Sequence, residues 1–327
     1  WTNDTPSIGL ADIGTGNIPS FSGVNTGTSP ITATLTVTPT FTENGVSCTG
    51  PAETFTITVN PTGQVDQIQD QILCNADATT AITFTTDNTG GTTTYSWEND
   101  TASIGLAGTG TGDIASFNAV NNGTEPVTAT IVVTPSFEGC EGPTETFTIT
   151  VNPTAQVNDP VDQIVCNGDT TSIVFTTNNT GGTTTYEWEN DTPSIGLDAS
   201  GDQDSISFNA VNTGTSPVTA NLTVTPRFTE NGVSCTGPAE TFTITVNPTG
   251  QVDEIQDQIL CNADATTAIT FTTDNTGGTT IYSWENDTAS IGLAATGFGD
   301  IASFNAINSG TEPVTATIVV TPSFEGC

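Results

Sequence analysis

The motif W-x-N-D-T-x-S-I-G-L occurs four times, at Trp1, Trp97, Trp188 and Trp284, with successive spacings of 96, 91 and 96 residues. Internal repetition on this scale constrains the fold more than any other feature, because each copy must be one supersecondary unit stacked in an array. Odd and even copies alternate, so the full period covers two units, as from Trp1 to Trp188. Within that period the copying is nearly literal: residues 48–107 and 235–294 differ only at Gln67 versus Glu254 and Thr94 versus Ile281. The length difference lies where F-T-E-N-G-V-S-C (Phe41 to Cys48) replaces F-E-G-C (Phe137 to Cys140), so that segment reads as a loop.

Within a unit, apolar residues recur with period 2. In Ile82–Thr86, Thr93–Trp97, Ile114–Val120, Val127–Val133 and Thr146–Val151, the alternation turns Ile82, Phe84, Tyr95, Trp97, Val127, Ala129, Ile131, Val133, Phe147, Ile149 and Val151 toward one face. Thr, the most abundant residue of the chain, fills most outward positions and suits a half-exposed pleated surface. Turn signals such as Asn88–Gly91 and Asn121–Thr124 separate the strands. No stretch sustains a 3.6-residue period. About seven strands per unit predict an all-β fold, a tandem array of β-sandwich domains.

Unit boundaries fall at V-N-P-T (Val59–Thr62, Val151–Thr154, Val246–Thr249). The expected repeats are 1–60, 61–152, 153–247 and 248–327. The first lacks its opening strands and the last its closing strand, so the sequence reads as a window in a longer array. Proline fixes its own φ and holds the preceding Asn extended, which favours stiff junctions over flexible tethers.

What is missing excludes whole classes of function. The chain has no His, no Lys and one Arg (Arg227), against 36 acidic residues and a formal charge of −35. Ser-His-Asp and Cys-His relays, His-ligated zinc and Schiff-base lysines are therefore absent. Phosphate backbones and anionic membrane surfaces are repelled, and no apolar run is long enough to span a bilayer. Small cations remain as partners.

The seven cysteines, Cys48, Cys74, Cys140, Cys166, Cys235, Cys261 and Cys327, alternate short gaps with long ones. Two bonding patterns fit: neighbours across each V-N-P-T junction, or partners within each repeat. The second is the working expectation, pairing Cys74 with Cys140, Cys166 with Cys235 and Cys261 with Cys327, with the partner of Cys48 outside the window. Regular cystines imply an oxidising, exported setting; buried free thiols are the plain alternative, and no C-x-x-C pair suggests zinc.

The blocks Asp70–Asp77 (D-Q-I-x-C-N-x-D), Thr89–Trp97 (T-G-G-T-T-x-Y-x-W) and Cys140–Pro153 (C-x-G-P-x-E-T-F-T-I-T-V-N-P) resemble PKD-like repeats of Bacteroidota surface proteins, including SprB-like adhesins of gliding motility. The resemblance implies export through the outer membrane by type IX secretion, a cell-surface stalk role, and no catalytic residues.

Further candidates have plain counterparts. The junction carboxylates Asp66, Asp70, Asp159, Asp162, Asp253, Glu254 and Asp257 could hold calcium or simply keep a Thr-rich fibre soluble. Asp198, Asp202 and Asp204 look loosely like a calcium loop without its closing Glu. Thr101, Thr170, Ser205 and Thr288 sit in short Asp-Thr or Asp-Ser signals for O-glycosylation, and Asn99, Asn190 and Asn286 in N-linked sequons. The Trp residues could stack sugars but share a face with Tyr, which favours the core. Glu98-Asn99-Asp100 reads as turn chemistry. The functional expectation is a non-catalytic stalk or filament whose partners are neighbouring repeats and side-by-side copies. The alternatives are a glycan- or fibre-binding module and a subunit of a self-assembling filament.

Overall fold

A computed structural model describes residues 1–327. The chain is built from short strands and four single-turn 3-10 helices, and it divides into two compact units. The first comprises Trp1–Thr154 with Asn179–Thr183 and Thr229–Cys235; the second comprises Ala155–Asn178, Thr184–Phe228 and Thr236–Cys327. The architecture is a tandem array of immunoglobulin-like sandwiches.

In the first unit the sheet around Val127–Phe137 shows how the alternation becomes a core. This strand lies between Glu145–Asn152 and Thr93–Asn99, antiparallel to both, with Phe147 opposite Ile131 and Trp97 opposite Val133. Ala129, Ile131, Val133, Ile149 and Val151 are fully buried, and Ile82, Phe84, Trp97 and Phe147 nearly so; Tyr95 and Val127 pack against them. On the other face, threonines pair across strands, as in Thr128 Oγ1 with Thr150 Oγ1 at 2.9 Å. Such cross-strand pairs each stabilise by roughly 0.2–1 kcal/mol. A smaller core in the same unit gathers Ile8, Leu10, Ala33 and Leu35.

The second unit repeats the plan, with one core around Ile195, Leu222, Val224 and Ile244 and another around Phe271, Trp284, Leu293 and Ile301. Thr170–Val174 and Ser205–Asn209 form a regular five-pair antiparallel ladder there. The corresponding segments of the first unit, Ala78–Ile82 and Ile114–Asn118, are reduced to bridges at Ala78–Asn118 and Ile82–Ile114, and the strand expected over Ile82–Thr86 does not form. Side chains take over the missing ladder bonds: Phe117 N–H donates to Thr79 Oγ1 (3.0 Å) and Phe84 N–H to Asp113 Oδ1 (3.0 Å).

The literal W-x-N-D-T-x-S-I-G-L motif is a strand end followed by a tight turn. After Asn99, residues Ala102–Ile104 make a single 3-10 turn closed by Gly105 at φ +98°, a conformation that glycine adopts without strain. Ile104 and Leu106 fall into the core. Asn99, 7% exposed, ties the turn shut: its Nδ2 donates to Leu106 O (3.0 Å) and its Oδ1 accepts from Thr101 N–H (3.0 Å).

Candidate functional site: the repeat junction

The first strand of the 61–152 repeat, Gln71–Cys74, runs parallel to the end of its last strand, with Cys74 opposite Asn152. Cys140 lies before the start of that last strand, at Glu145. The two cysteines of one repeat therefore stand at opposite ends of an eight-residue strand, about 25 Å apart at ~3.3 Å per residue. A disulfide needs Cα atoms within about 7 Å, so the within-repeat pairing expected from spacing is excluded. The structure pairs Cys74 with Cys235 and Cys166 with Cys327, with Cα–Cα distances of 5.5 and 5.4 Å. Both bonds have the same sequence separation, 161 residues, and both join one repeat to the next.

This corrects the expectations for Cys74–Cys140, Cys166–Cys235 and Cys261–Cys327, and the pairing across V-N-P-T fails equally. Cys48, Cys140 and Cys261 are free thiols. Cys48 and Cys140 hold the hairpin position occupied elsewhere by Cys235 and Cys327, and Cys261 holds the first-strand position of Cys74 and Cys166. For each, a partner at the same register would fall outside residues 1–327.

The residues around each bond explain the resemblance motifs. In the first unit, Asn75 N–H donates to Asn152 O (2.9 Å), Asn75 Nδ2 to Thr154 Oγ1 (3.0 Å), and Asn121 N–H to Asn75 Oδ1 (2.8 Å). The Asn after the first-strand cysteine thus clamps the V-N-P-T linker. Asn167 repeats the arrangement in the second unit, with its N–H on Asn247 O and its Nδ2 on Thr249 Oγ1. Asp77 Oδ2 accepts from Cys74 N–H, and Asp169 and Asp264 do the same for Cys166 and Cys261.

A second contact comes from the T-G-G loop. Asn88 Nδ2 donates to Thr62 O (3.2 Å) and Thr28 O (3.5 Å), while Thr89 N–H donates to Thr28 O (2.8 Å). Asn179 binds Thr154 O and Thr124 O within the first unit, and Asn275 binds Thr249 O and Thr215 O within the second. Fully buried Asn152 adds a third, reaching Glu230 O (3.2 Å) and Val233 O (3.4 Å) of the hairpin that carries Cys235. The hairpin itself presses on the linker: a Cβ on Gly142 would lie 1.6 Å from Gly63 O, and one on Gly237 1.9 Å from Ala155 O. Glycine is required at both positions by this backbone approach.

The junction carboxylates act as hydrogen-bond acceptors. Asp70 Oδ1 takes the Thr148 N–H at 2.6 Å and Asp162 Oδ1 the Thr243 N–H at 2.7 Å, clipping first strand to last. Asp66 accepts from the Thr85 hydroxyl and Asp253 from the Thr272 hydroxyl, clipping linker to sandwich. Asp159, Glu254 and Asp257 are exposed. No three carboxylates or thiols are grouped as metal ligands, and this holds for Asp198, Asp202 and Asp204.

The modification candidates differ in access. Thr170 and Ser205 are exposed, while Thr101 and Thr288 are half-exposed and donate to the neighbouring Asp100 and Asp287 carboxylates at 2.8 Å. Asn99, Asn190 and Asn286 are buried with their amides hydrogen-bonded, so the folded chain does not present the N-linked sequons. Trp97, Trp188 and Trp284 are core residues, with Trp97 Nε1 donating to Gly112 O (3.1 Å); none offers a stacking platform.

No protein-family model and no curated protein sequence matches the chain. Solved structures with similar architecture include the N-terminal eight Ig domains of Down Syndrome Cell Adhesion Molecule, at 12% identity and TM-score 0.41, covering 92% of this chain and 40% of that one. Extracellular cadherin domains 1–5 of Protocadherin Gamma B2 match at 10% identity and TM-score 0.29, covering 89% and 64%. The Ig1-2 module of the Drosophila receptor protein tyrosine phosphatase DLAR matches at 10% identity and TM-score 0.21, covering 56% and 98%. At these identities and scores the likeness carries no functional argument.

Proposed function

We propose that this chain is a non-catalytic stalk segment of a secreted cell-surface adhesin, serving attachment or gliding motility of the Bacteroidota type suggested by its motifs. The observation that carries the reading is the repeated junction, in which a disulfide of constant 161-residue separation links one repeat to the next. Cystines of this kind fit an oxidising, extracellular setting, and no helix is long and apolar enough to cross a membrane. Spanning asparagines and a Pro-fixed linker at each junction favour a stiff array. Electron micrographs of the native chain test the reading: a rod on the order of 35–40 Å per repeat supports it, and a compact globule overturns it. The linker aspartates offer calcium at most paired carboxylates, so stiffening by that ion needs backbone carbonyl ligands as well. A melting temperature that is the same in calcium and in EDTA removes calcium from the proposal.

A further inference from the structure

The cystine register has a mechanical consequence. Cys48 and Cys74, Cys140 and Cys166, and Cys235 and Cys261 bound three short segments of equal length. The segments from Cys48 and Cys140 run from a hairpin cysteine through the last strand of one repeat and its linker to the first strand of the next, as in Glu53–Val59 followed by Gln71–Cys74. The segment from Cys235 runs through Glu240–Asn247 and the linker to Cys261, which lies outside any strand. The disulfide at the end of one segment then crosses to the start of another. From Cys48, the shortest covalent route follows the backbone to Cys74, crosses the bond to Cys235, and follows the backbone again to Cys261. The intervening 161-residue loop is bypassed. It holds Thr93–Asn99, Val127–Phe137, Glu145–Asn152 and most of the next sandwich. The bond from Cys166 to Cys327 begins a second, offset route of the same kind.

We infer that the chain transmits tension along these covalent tracks of short linker segments, so that the sandwich strands held inside the cystine loops are not pulled apart when the array is stretched. The inference deepens the stalk reading and rests on it for its biological meaning. Strands in a bypassed loop carry no covalent axial load, and the track reaches them only through the hydrogen bonds of Gln71–Cys74 to Glu145–Asn152 and of Glu240–Asn247 to Val218–Glu230. Reduction inserts them into the force path, where the sandwich hydrogen bonds must then resist alone.

Stretching the full chain between its own exposed thiols tests this. Thioether-linked handles on Cys48 and Cys261, in a Cys140→Ser chain to avoid a third attachment, allow pulling with and without reductant. Without reductant, extension should stop at the two short segments, Cys48 to Cys74 and Cys235 to Cys261. With reductant, the contour should grow by 161 residues, up to about 580 Å at ~3.6 Å per residue. A gain less than half as large, the signature of a Cys166–Cys235 bond, or no gain at all, overturns the inference. A chain that shows the 161-residue gain yet is globular in micrographs keeps the track and loses the stalk.

Discussion

Asn99 anchors the turn that gives this chain its most repeated motif, and equivalent asparagines stand at Asn3, Asn190 and Asn286, all buried. Replacing Asn99 by Ala leaves the Leu106 carbonyl and the Thr101 N–H without their partner. The 61–152 repeat should lose about 2–3 kcal/mol, read as a lower urea midpoint with an unchanged m-value. Gly110 is as demanding for a different reason: a Cβ there would sit 2.0 Å from Trp97 Cζ2. Gly110→Ala should cost about 1–3 kcal/mol by overpacking and shift the Trp fluorescence. The aspartate after each motif asparagine is held by N–H donors. Asp4 and Asp100 accept first from the backbone N–H groups of Thr34 and Thr130, Asp191 from the Asn221 side chain, and Asp287 from the Thr317 N–H, so all four carboxyls lie below the ordinary aspartate value of 3.8. A depressed folded-state value contributes stability that is complete above the unfolded value and is lost as pH falls through the folded one. The contribution of these four aspartates should therefore be lost below about pH 4, read as stability that falls relative to the Asp100→Asn chain as the pH is lowered through that range.

At the scale of the elements, parallel pairing of the first strand with the last in the 61–152 and 153–247 repeats decides the covalent structure. It places Cys74 at the end of the sandwich where the next repeat begins, and the hairpin of that repeat brings Cys235 to meet it. A loop of 161 residues stabilises by about 5 kcal/mol in the chain-entropy description. Reduction should accordingly lower the urea midpoint of the repeats it joins far more than it changes the isolated turn regions. Peptide mapping of the unreduced chain checks the pairing directly: a fragment joining the Cys74 and Cys235 peptides is expected, and one joining Cys74 to Cys140 contradicts it. Strand placement was largely legible, since Thr93–Asn99, Val127–Phe137 and Glu145–Asn152 lie where the alternation put them. Ile82–Thr86 was less so, because only Ile82 keeps backbone ladder bonds and the Asp113 side chain takes the Phe84 N–H, and such substitution leaves no trace in apolar period.

For the whole molecule, charge dominates. With a formal charge of −35 and one ion pair, Arg227 to Glu187 at 3.6 Å between largely exposed side chains, little attraction offsets the repulsion; an exposed pair of this kind contributes at most about 1 kcal/mol. Raising ionic strength from about 0.01 M to 0.15 M shortens the screening distance from roughly 30 Å to 8 Å, so the melting temperature should rise with monovalent salt, and Arg227→Gln should change it little. Amino-acid order by itself determined the repeat period, the strand faces, the burial of Trp97, Trp188 and Trp284 and the exclusion of His- and Lys-based chemistry, because periodicity and composition are local and act residue by residue. Only the tertiary structure decided which cysteines meet and what the linker aspartates bind. Those depend on which end of a sandwich each residue reaches, and parallel pairing of strands far apart in the chain sets that.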